Sequence, residues 1–421
     1  MSKQKKVFLL LLICHDPVCR NMKNILVIGF STRNIVCSGS RAGYNMYAVD
    51  AFCDHDMQQC ARAFAKLDIG EGFDATKISL EIISEIIEDF GVDFDAIIPG
   101  SGFETIGLEQ FPYRILGNES HKMTEVSDKY LFSCFLEKRG ITHPKTVLLS
   151  SINELELPLM VKPACSGGGI FNMKIESKDD LLFLKKRLKE TGLPSGKNKI
   201  IAQEFVDGIP ASVSVISTKE KAVAIAVNEQ LIGTPWFTNM PFAYCGNITP
   251  FDTPYASEMK QISEELILEM GLIGSNGVDF IITENGPVVI EMNARFQGSL
   301  DTVEMSTGIN LLDAHMKAFE GDIELPIENL VEKENANVSV NEDGYSGRGI
   351  IYSEKQMIMN ETVRDMLFKM NVCDIPVAGQ VIGPFEPVIS VLCSGKSRDE
   401  VICRMKDSVI FIRESLNLLE P

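Results

Sequence analysis

The segment GVDFIITENGPVVIEMNARF, residues 277–296, gathers the residue types that handle phosphate and metal chemistry. Glu291, Asn293 and Arg295 alternate along one strand and therefore share a face. Asp279 lies on the preceding strand. A hairpin closed by a three-residue loop, Glu284-Asn285-Gly286, sets Asp279 opposite Glu291 and sends Val278, Phe280, Ile282, Val288, Ile290 and Met292 to the other, apolar face. Two carboxylates and an amide oxygen are hard donors suited to Mg²⁺ (or Mn²⁺) held together with phosphates. An arginine two residues on can bind a transferring phosphoryl group or an anionic substrate. A merely solvated face would mix in Lys, and the segment has none.

Three further segments carry matching chemistry. In LPLMVKPACSGGGIF, residues 157–171, Lys162 ends a strand, and Ser166, Gly167, Gly168 and Gly169 form a loop whose N–H groups can cradle phosphates. No G-K-[ST] follows, so this is not a P-loop. Lys129 opens a helix. IIAQEFVDG, residues 200–208, ends a strand in Gln203-Glu204-Phe205-Val206, which can offer backbone and side-chain groups to an adenine.

These residues need elements to hold them. Residues 24–110 alternate strand and helix: NILVI (24–28), YNMYAV (44–49), a helix over 76–90 with Ile78, Ile82, Ile86 and Phe90 in register, and DAIIPG (95–100). That alternation implies a parallel sheet covered by helices. The turn after the first strand reads GFSTRN, without the second and third glycines of a dinucleotide site. A helix follows over 127–139, with Leu131, Phe132, Phe135 and Leu136 on one face. From 145 to 232 strands dominate, broken by a helix at 178–189; a hairpin occupies 277–294, and a helix 310–319. The stretch 330–346 is polar and reads as a boundary. A small unit with a strand at 387–393 and a helix near 398–417 closes the chain.

With 421 residues and a net charge of −18, the chain is long enough for two or three domains and poorly suited to nucleic acid or an anionic membrane. The eleven cysteines form no CxxC pair, which points to reduced thiols and a cytoplasmic setting. The apolar run at 7–14 is too short to span a bilayer and has no cleavage site behind it, so residues 1–21 read as an extension outside the fold. No G-x-S-x-G or HExxH motif occurs, and the five histidines form no ligand pattern.

In order along the chain, Lys129, Lys162 with its glycine loop, Gln203-Glu204-Phe205-Val206, Asp279 and Glu291-x-Asn293-x-Arg295 resemble the ATP-grasp superfamily over roughly residues 24–320. The resemblance implies an α/β (α+β overall) fold. An N-terminal parallel-sheet domain would span 22–125, a two-lobed ATP clamp 126–325 and a small C-terminal α+β domain 326–421. It implies that Lys129 and Lys162 contact ATP phosphates and that Ser166 and Gly167 to Gly169 form a phosphate lid. Gln203, Glu204 and Val206 would line the adenine hinge, Asp279, Glu291 and Asn293 would hold magnesium, and Arg295 would steady an acyl-phosphate. Ser212 and Ser214 stand where the family often places a ribose-binding carboxylate. Residues 230–251, with Trp236 as a candidate substrate wall, resemble uncharacterised archaeal-type predicted carboligases and, more loosely, tyramine–glutamate ligases of methanofuran biosynthesis. The implied activity is ATP-dependent joining of a small carboxylate to an amine through an acyl-phosphate, with a carboxylase acting on bicarbonate and a non-catalytic ATP sensor as rivals. No nucleic-acid or membrane partner is expected, and a homodimer is compatible with the sequence. Glu104, in the loop PGSGFE, is expected either near the substrate amine or at a helix N-terminus, where its charge favours the dipole.

Overall fold

NILVIG, NMYAVD, AFAK and AIIP are apolar throughout or nearly so, the pattern of strands covered on both faces. In the computed structural model, which describes residues 9–11, 22–68, 78–165, 167–169, 171–191, 200–323 and 344–417, they become β2 (Asn24–Gly29), β3 (Asn45–Asp50), β4 (Ala63–Lys66) and β5 (Ala96–Pro99). They pair in parallel in the order β4-β3-β2-β5. The helices α1 (Arg33–Arg41), α2 (His55–Cys60) and α3 (Leu80–Asp89) connect them. The turn expected over GFSTRN is shorter than that: α1 already begins at Arg33, because Asp50 accepts from both the Thr32 N–H and its hydroxyl. On α3 the buried stripe is Ile83, Ile86 and Ile87, and Ile82 is exposed.

The segment expected to lie outside the fold returns to it at β1 (Leu9–Leu11), which pairs antiparallel with β4. The β4 edge offers unpaired N–H and C=O groups, and an extended apolar triplet satisfies them. The thiols expected to be reduced include one linked pair: Cys37 on α1 and Cys60 at the end of α2 are disulfide-bonded, because the two helices pack side by side. The other described cysteines are free.

A second, four-stranded antiparallel sheet follows the helices α4 (Ser120–Ser127) and α5 (Lys129–Arg139). Its strands are β6 (Thr146–Leu148), β7 (Leu159–Pro163), β8 (Met173–Ile175) and β9 (Ile200–Glu204), in the order β6-β9-β7-β8, with α6 (Lys178–Thr191) against β8. On α5 Phe132 and Leu136 are buried, while Leu131 faces out.

The third sheet is antiparallel and begins with β10 (Ile209–Ser217), β11 (Ala222–Ile232), β12 (Tyr244–Thr249), β13 (Gly274–Thr283) and β14 (Gly286–Asn293). The helices α7 (Ala256–Glu269), α8 (Leu300–Thr307) and α9 (Leu311–Phe319) cover it. The C-terminal segment, expected as a separate unit from 326, prolongs this same sheet. β15 (Tyr345–Tyr352) pairs with the free edge of β12, then β19 (Pro387–Gly395) with β15, and β17 (Val372–Cys373) with β19. The order is β14-β13-β10-β11-β12-β15-β19-β17. Between them β16 (Met357–Ile358) and β18 (Val381–Ile382) form a ribbon beside α10 (Glu361–Leu367), and α11 (Arg398–Asn417) packs on β15 and β19. Among the described residues no helix is long and apolar enough to cross a membrane.

His315 on α9 ties two of these sheets together. It is buried; Nδ1 accepts the Ser275 N–H at 2.9 Å, and Nε2–H donates to the Leu116 carbonyl at 3.1 Å. Burial lowers its pKa to about 4, against a smaller upward pull from the Leu116 carbonyl. An unfolded histidine titrates near 6.5, so the neutral ring contributes stability that is fully present above pH ~6.5 and lost as pH falls toward 4. The loss should approach about 3 kcal/mol. In denaturant titrations at stepped pH, His315→Gln is expected to flatten the dependence between pH ~6.5 and 4 by up to one proton's worth; an unchanged slope would contradict it.

Candidate active site

The hairpin β13–β14 turns more tightly than its sequence suggests. Thr283 pairs with Gly286 across a two-residue Glu284-Asn285 loop, because the Thr283 hydroxyl accepts the Asn285 N–H and donates to the Gly286 carbonyl. Carried down the ladder, that register would put Ile290 opposite Asp279 and throw Glu291 onto the apolar face. A bulge prevents this. The pairing is Phe280 with Val289 but Asp279 with Glu291, leaving Ile290 as the extra residue. The expected facing of the two carboxylates holds, and the apolar face is corrected: Val289 joins Val278, Phe280, Ile282 and Met292 in the core, while Ile290 and Ile281 line a cleft.

That cleft has a volume of about 630 Å³ and lies between the second and third sheets and the strand ends of the first. Lys129, Lys162, Gly167, Gly168, Gly169, Gln203, Glu204, Val206, Asp279, Glu291, Asn293 and Arg295 all line it. Ser166 lies outside the described residues. Lys129 reaches the cleft because Asp128 caps α5, accepting from the Tyr130 and Leu131 N–H groups. Its Nζ lies 2.9 Å from Glu291 Oε2. Asp279 Oδ1 accepts from Gln230 Nε2 and Oδ2 from Asn293 Nδ2, each at 3.1 Å. Arg295 Nη2 donates to Asn293 Oδ1 at 3.2 Å. Glu104 is not free to meet a substrate amine: its carboxylate lies 2.6 Å from Arg295 Nε and steadies the guanidinium.

The charges respond to one another. Burial first, and then Glu291, push the Asp279 carboxyl well up. Burial also presses Glu291 upward, but Lys129 and Lys162 outweigh it and hold Glu291 at about 2. Burial and the neighbouring Lys129 bring Lys162 down to about 8, against the pull of Glu291 and Asp279. Two facing carboxylates, one of them favouring its proton, form a donor set that a divalent cation would satisfy, with Asn293 supplying an amide oxygen.

The glycine loop is seated. The Gly168 carbonyl accepts the Tyr244 N–H at 3.0 Å, and Gly169, with φ 72°, leaves no room for a side chain, since a Cβ would lie 1.9 Å from the Phe242 carbonyl oxygen. Pro241, Phe242 and Tyr244 thus form the wall facing the loop. Trp236 does not; its ring lies against Phe237, 4.5 Å between centroids and tilted by 30°, and under Lys406 in the C-terminal core. Gln203 donates to Thr146 Oγ1, and the Glu204 carboxylate accepts the Lys145 N–H, so both hinge side chains are tied to β6 and its approach.

Sequence reasoning missed several cleft residues. Gln230 follows Asn228 in the polar alternation of β11, a signal that was readable. Ser212 lines the cleft; Asn228 Nδ2 donates to both Ser212 and Ser214, and Ser214 also bonds Gln297 and Ser299. Asp207, directly after the hinge, is exposed on the cleft. Arg348 and Asp374 line its far end, with no local pattern to announce them.

Residues 126–299 match the ATP-grasp domain family. Over 398 residues, covering 91% of each chain, the protein is 26% identical to an uncharacterized protein of Methanocaldococcus jannaschii. Its fold is similar to that of biotin carboxylase from Campylobacter jejuni (TM-score 0.68, 16% identity, 91% of this chain and 90% of that one). It is also similar to L-amino acid ligase from Bacillus licheniformis (TM-score 0.65, 17% identity, 94% and 97%). None of these matches carries the looser likeness to tyramine–glutamate ligases.

Gly169→Ala is expected to unseat the loop and speed amide exchange at Tyr244 by roughly tenfold or more. Gly167→Ala, where a Cβ meets nothing closer than Arg295 Nη2 at 4.0 Å, should leave Tyr244 protected. Equal exchange in both variants would contradict the seating.

Proposed function

We propose that this chain, built around an ATP-grasp domain, activates a small carboxylate with ATP and magnesium and passes the acyl group to an amine, releasing ADP and phosphate. One observation carries the reading: three cationic side chains, two facing carboxylates, an amide and a glycine loop converge on a single cleft. A carboxylate oxygen of the substrate attacks the γ-phosphorus, and the bond to the β–γ bridging oxygen breaks. Lys129, Lys162 and the loop N–H groups offset phosphate charge. Arg295, steadied by Glu104, faces the acyl-phosphate. Magnesium held by Asp279, Glu291 and Asn293 would supply further charge neutralisation. The amine nitrogen then attacks the acyl carbon, loses a proton and expels phosphate. Phosphoryl transfer asks of a protein mainly position and charge, which suits a set with no protein nucleophile. Gln203, Glu204 and Val206 serve the adenine, and Asp207, just past the hinge, serves the ribose hydroxyls.

The fold shared with biotin carboxylase supports a second reading, in which bicarbonate is the acid activated. A passive ATP sensor is disfavoured because it has no need for Asp279 and Glu291 set face to face on the cleft wall.

Glu291→Gln is expected to lower ADP release by ~10²-fold or more while melting within a few degrees of wild type. Near-normal release at saturating magnesium would contradict the metal assignment. With ¹⁸O-labelled carboxylates and hydroxylamine as a surrogate amine, one label should pass to phosphate for each hydroxamate formed. AMP, or unlabelled phosphate, would overturn the acyl-phosphate. ADP release stimulated by bicarbonate alone would favour the carboxylase reading.

A further inference from the structure

The cleft continues past the phosphate-binding residues. Its far walls are Ser31 and Asn34 after β2, Ser101 after β5, and Arg348 and Asp374 from the C-terminal segment. β2 and β5 flank the point where the strand order of the parallel sheet reverses, and open parallel sheets take ligands at the carboxyl ends of such strands. Nothing in the nucleotide chemistry above uses these groups.

Arg348 and Asp374 form a fixed pair of opposite charges at this wall, with side chains 10% and 17% exposed. Arg348 Nη2 lies 2.5 Å from Asp374 Oδ2 and 3.2 Å from Ser390 Oγ, and Nη1 donates to the Gly298 carbonyl at 2.9 Å. Asp374 Oδ1 accepts from Arg33 Nε at 2.8 Å, and Arg33 in turn grips Asp301 through two 2.7 Å bonds. The backbone of Asp374 is left-handed, φ 57°, and is held so by the Asp56 carboxylate, which accepts the N–H groups of Asp374 and Ile375. A non-glycine residue kept in that conformation by so many contacts is a feature of ligand clamps. Burial presses the Asp374 carboxyl upward, but Arg33 and Arg348 outweigh it and keep the group ionised.

A simple anion at this wall meets Asp374, and a simple ammonium ion meets Arg348. A ligand carrying both charges on neighbouring atoms answers both. We propose that the far end of the cleft binds an α-amino acid as one of the two substrates, its carboxylate toward Arg348 and its ammonium toward Asp374. Its part in catalysis rests on the ligase reading; its binding does not.

The test is the thermal shift of the full chain with MgADP and millimolar probes. L-alanine and L-glutamate are each compared with the analogue lacking the ammonium, propionate and glutarate, and with ethylamine, which lacks the carboxylate. The amino acids should add at least about 2 °C to the melting temperature, and the analogues none. Asp374→Asn tolerates the left-handed backbone and should weaken amino-acid binding at least about tenfold while keeping the MgADP shift. Analogues stabilising as well as the amino acids, no response to any probe, or an Asp374→Asn variant responding like wild type would each overturn the proposal. If that variant fails to fold, the wild-type comparison of each amino acid with its analogues decides. Absence of a shift with MgADP itself would contradict the ATP reading alone, leaving the amino-acid comparison to stand or fall on its own.

Discussion

Two carboxylates face each other on adjacent strands, half-buried at the wall of the cleft, and most of the surrounding structure answers to that placement. Like charges so close and partly shielded from water are costly unless cations neutralise them. Lys129 arrives on a capped helix, Lys162 on the end of β7, and Gln230 and Asn293 donate to Asp279 from either side. The bulge at Ile290 exists in the same service. It lets the hairpin end in a tight turn and still presents Asp279 and Glu291 together.

A second buried charge system joins the parts of the chain. Arg33 comes from the start of α1, Asp301 from α8, Arg348 from β15 and Asp374 from the residue after β17. Removing one member of such a network typically costs about 3–5 kcal/mol, because a charge is left buried and unanswered. The apolar cluster around it is shared in the same way: Ile35 and Met46 of the first domain pack in one core with Ile225, Leu300 and Leu312. The first and third sheets are therefore held against each other by charge as well as by apolar packing.

Much of the site was legible because its chemistry is local. Glu291, Asn293 and Arg295 repeat with period two, and Lys162 stands directly before its glycines, so short-range geometry alone groups them. The tip of the hairpin was misread because one hydroxyl, that of Thr283, decides between two loops of similar sequence appeal. The apolar stripes of α3 and α5 were offset by single positions, at Ile82 and Leu131, since neighbouring large side chains leave the phase of a short helix ambiguous. The Arg33–Asp301 and Arg33–Asp374 pairs were not legible at all. Their partners are 268 and 341 residues apart, and nothing near either residue marks it as charged for a distant purpose.

The pairing of β15 with β12 limits what can be treated as a module. The stretch recognisable as an ATP-grasp domain stops at residue 299, yet its large sheet does not. Excised there, it would expose the hydrogen-bonding groups of Gly246–Thr249 and strip the cover from Phe237 and Cys245, which share a core with β19 and α11. A raw edge of that kind recruits other chains. The stretch 126–299 thus completes its sheet and its core only with the C-terminal strands. Any graft of it onto another scaffold must bring the C-terminal strands along or supply a substitute strand.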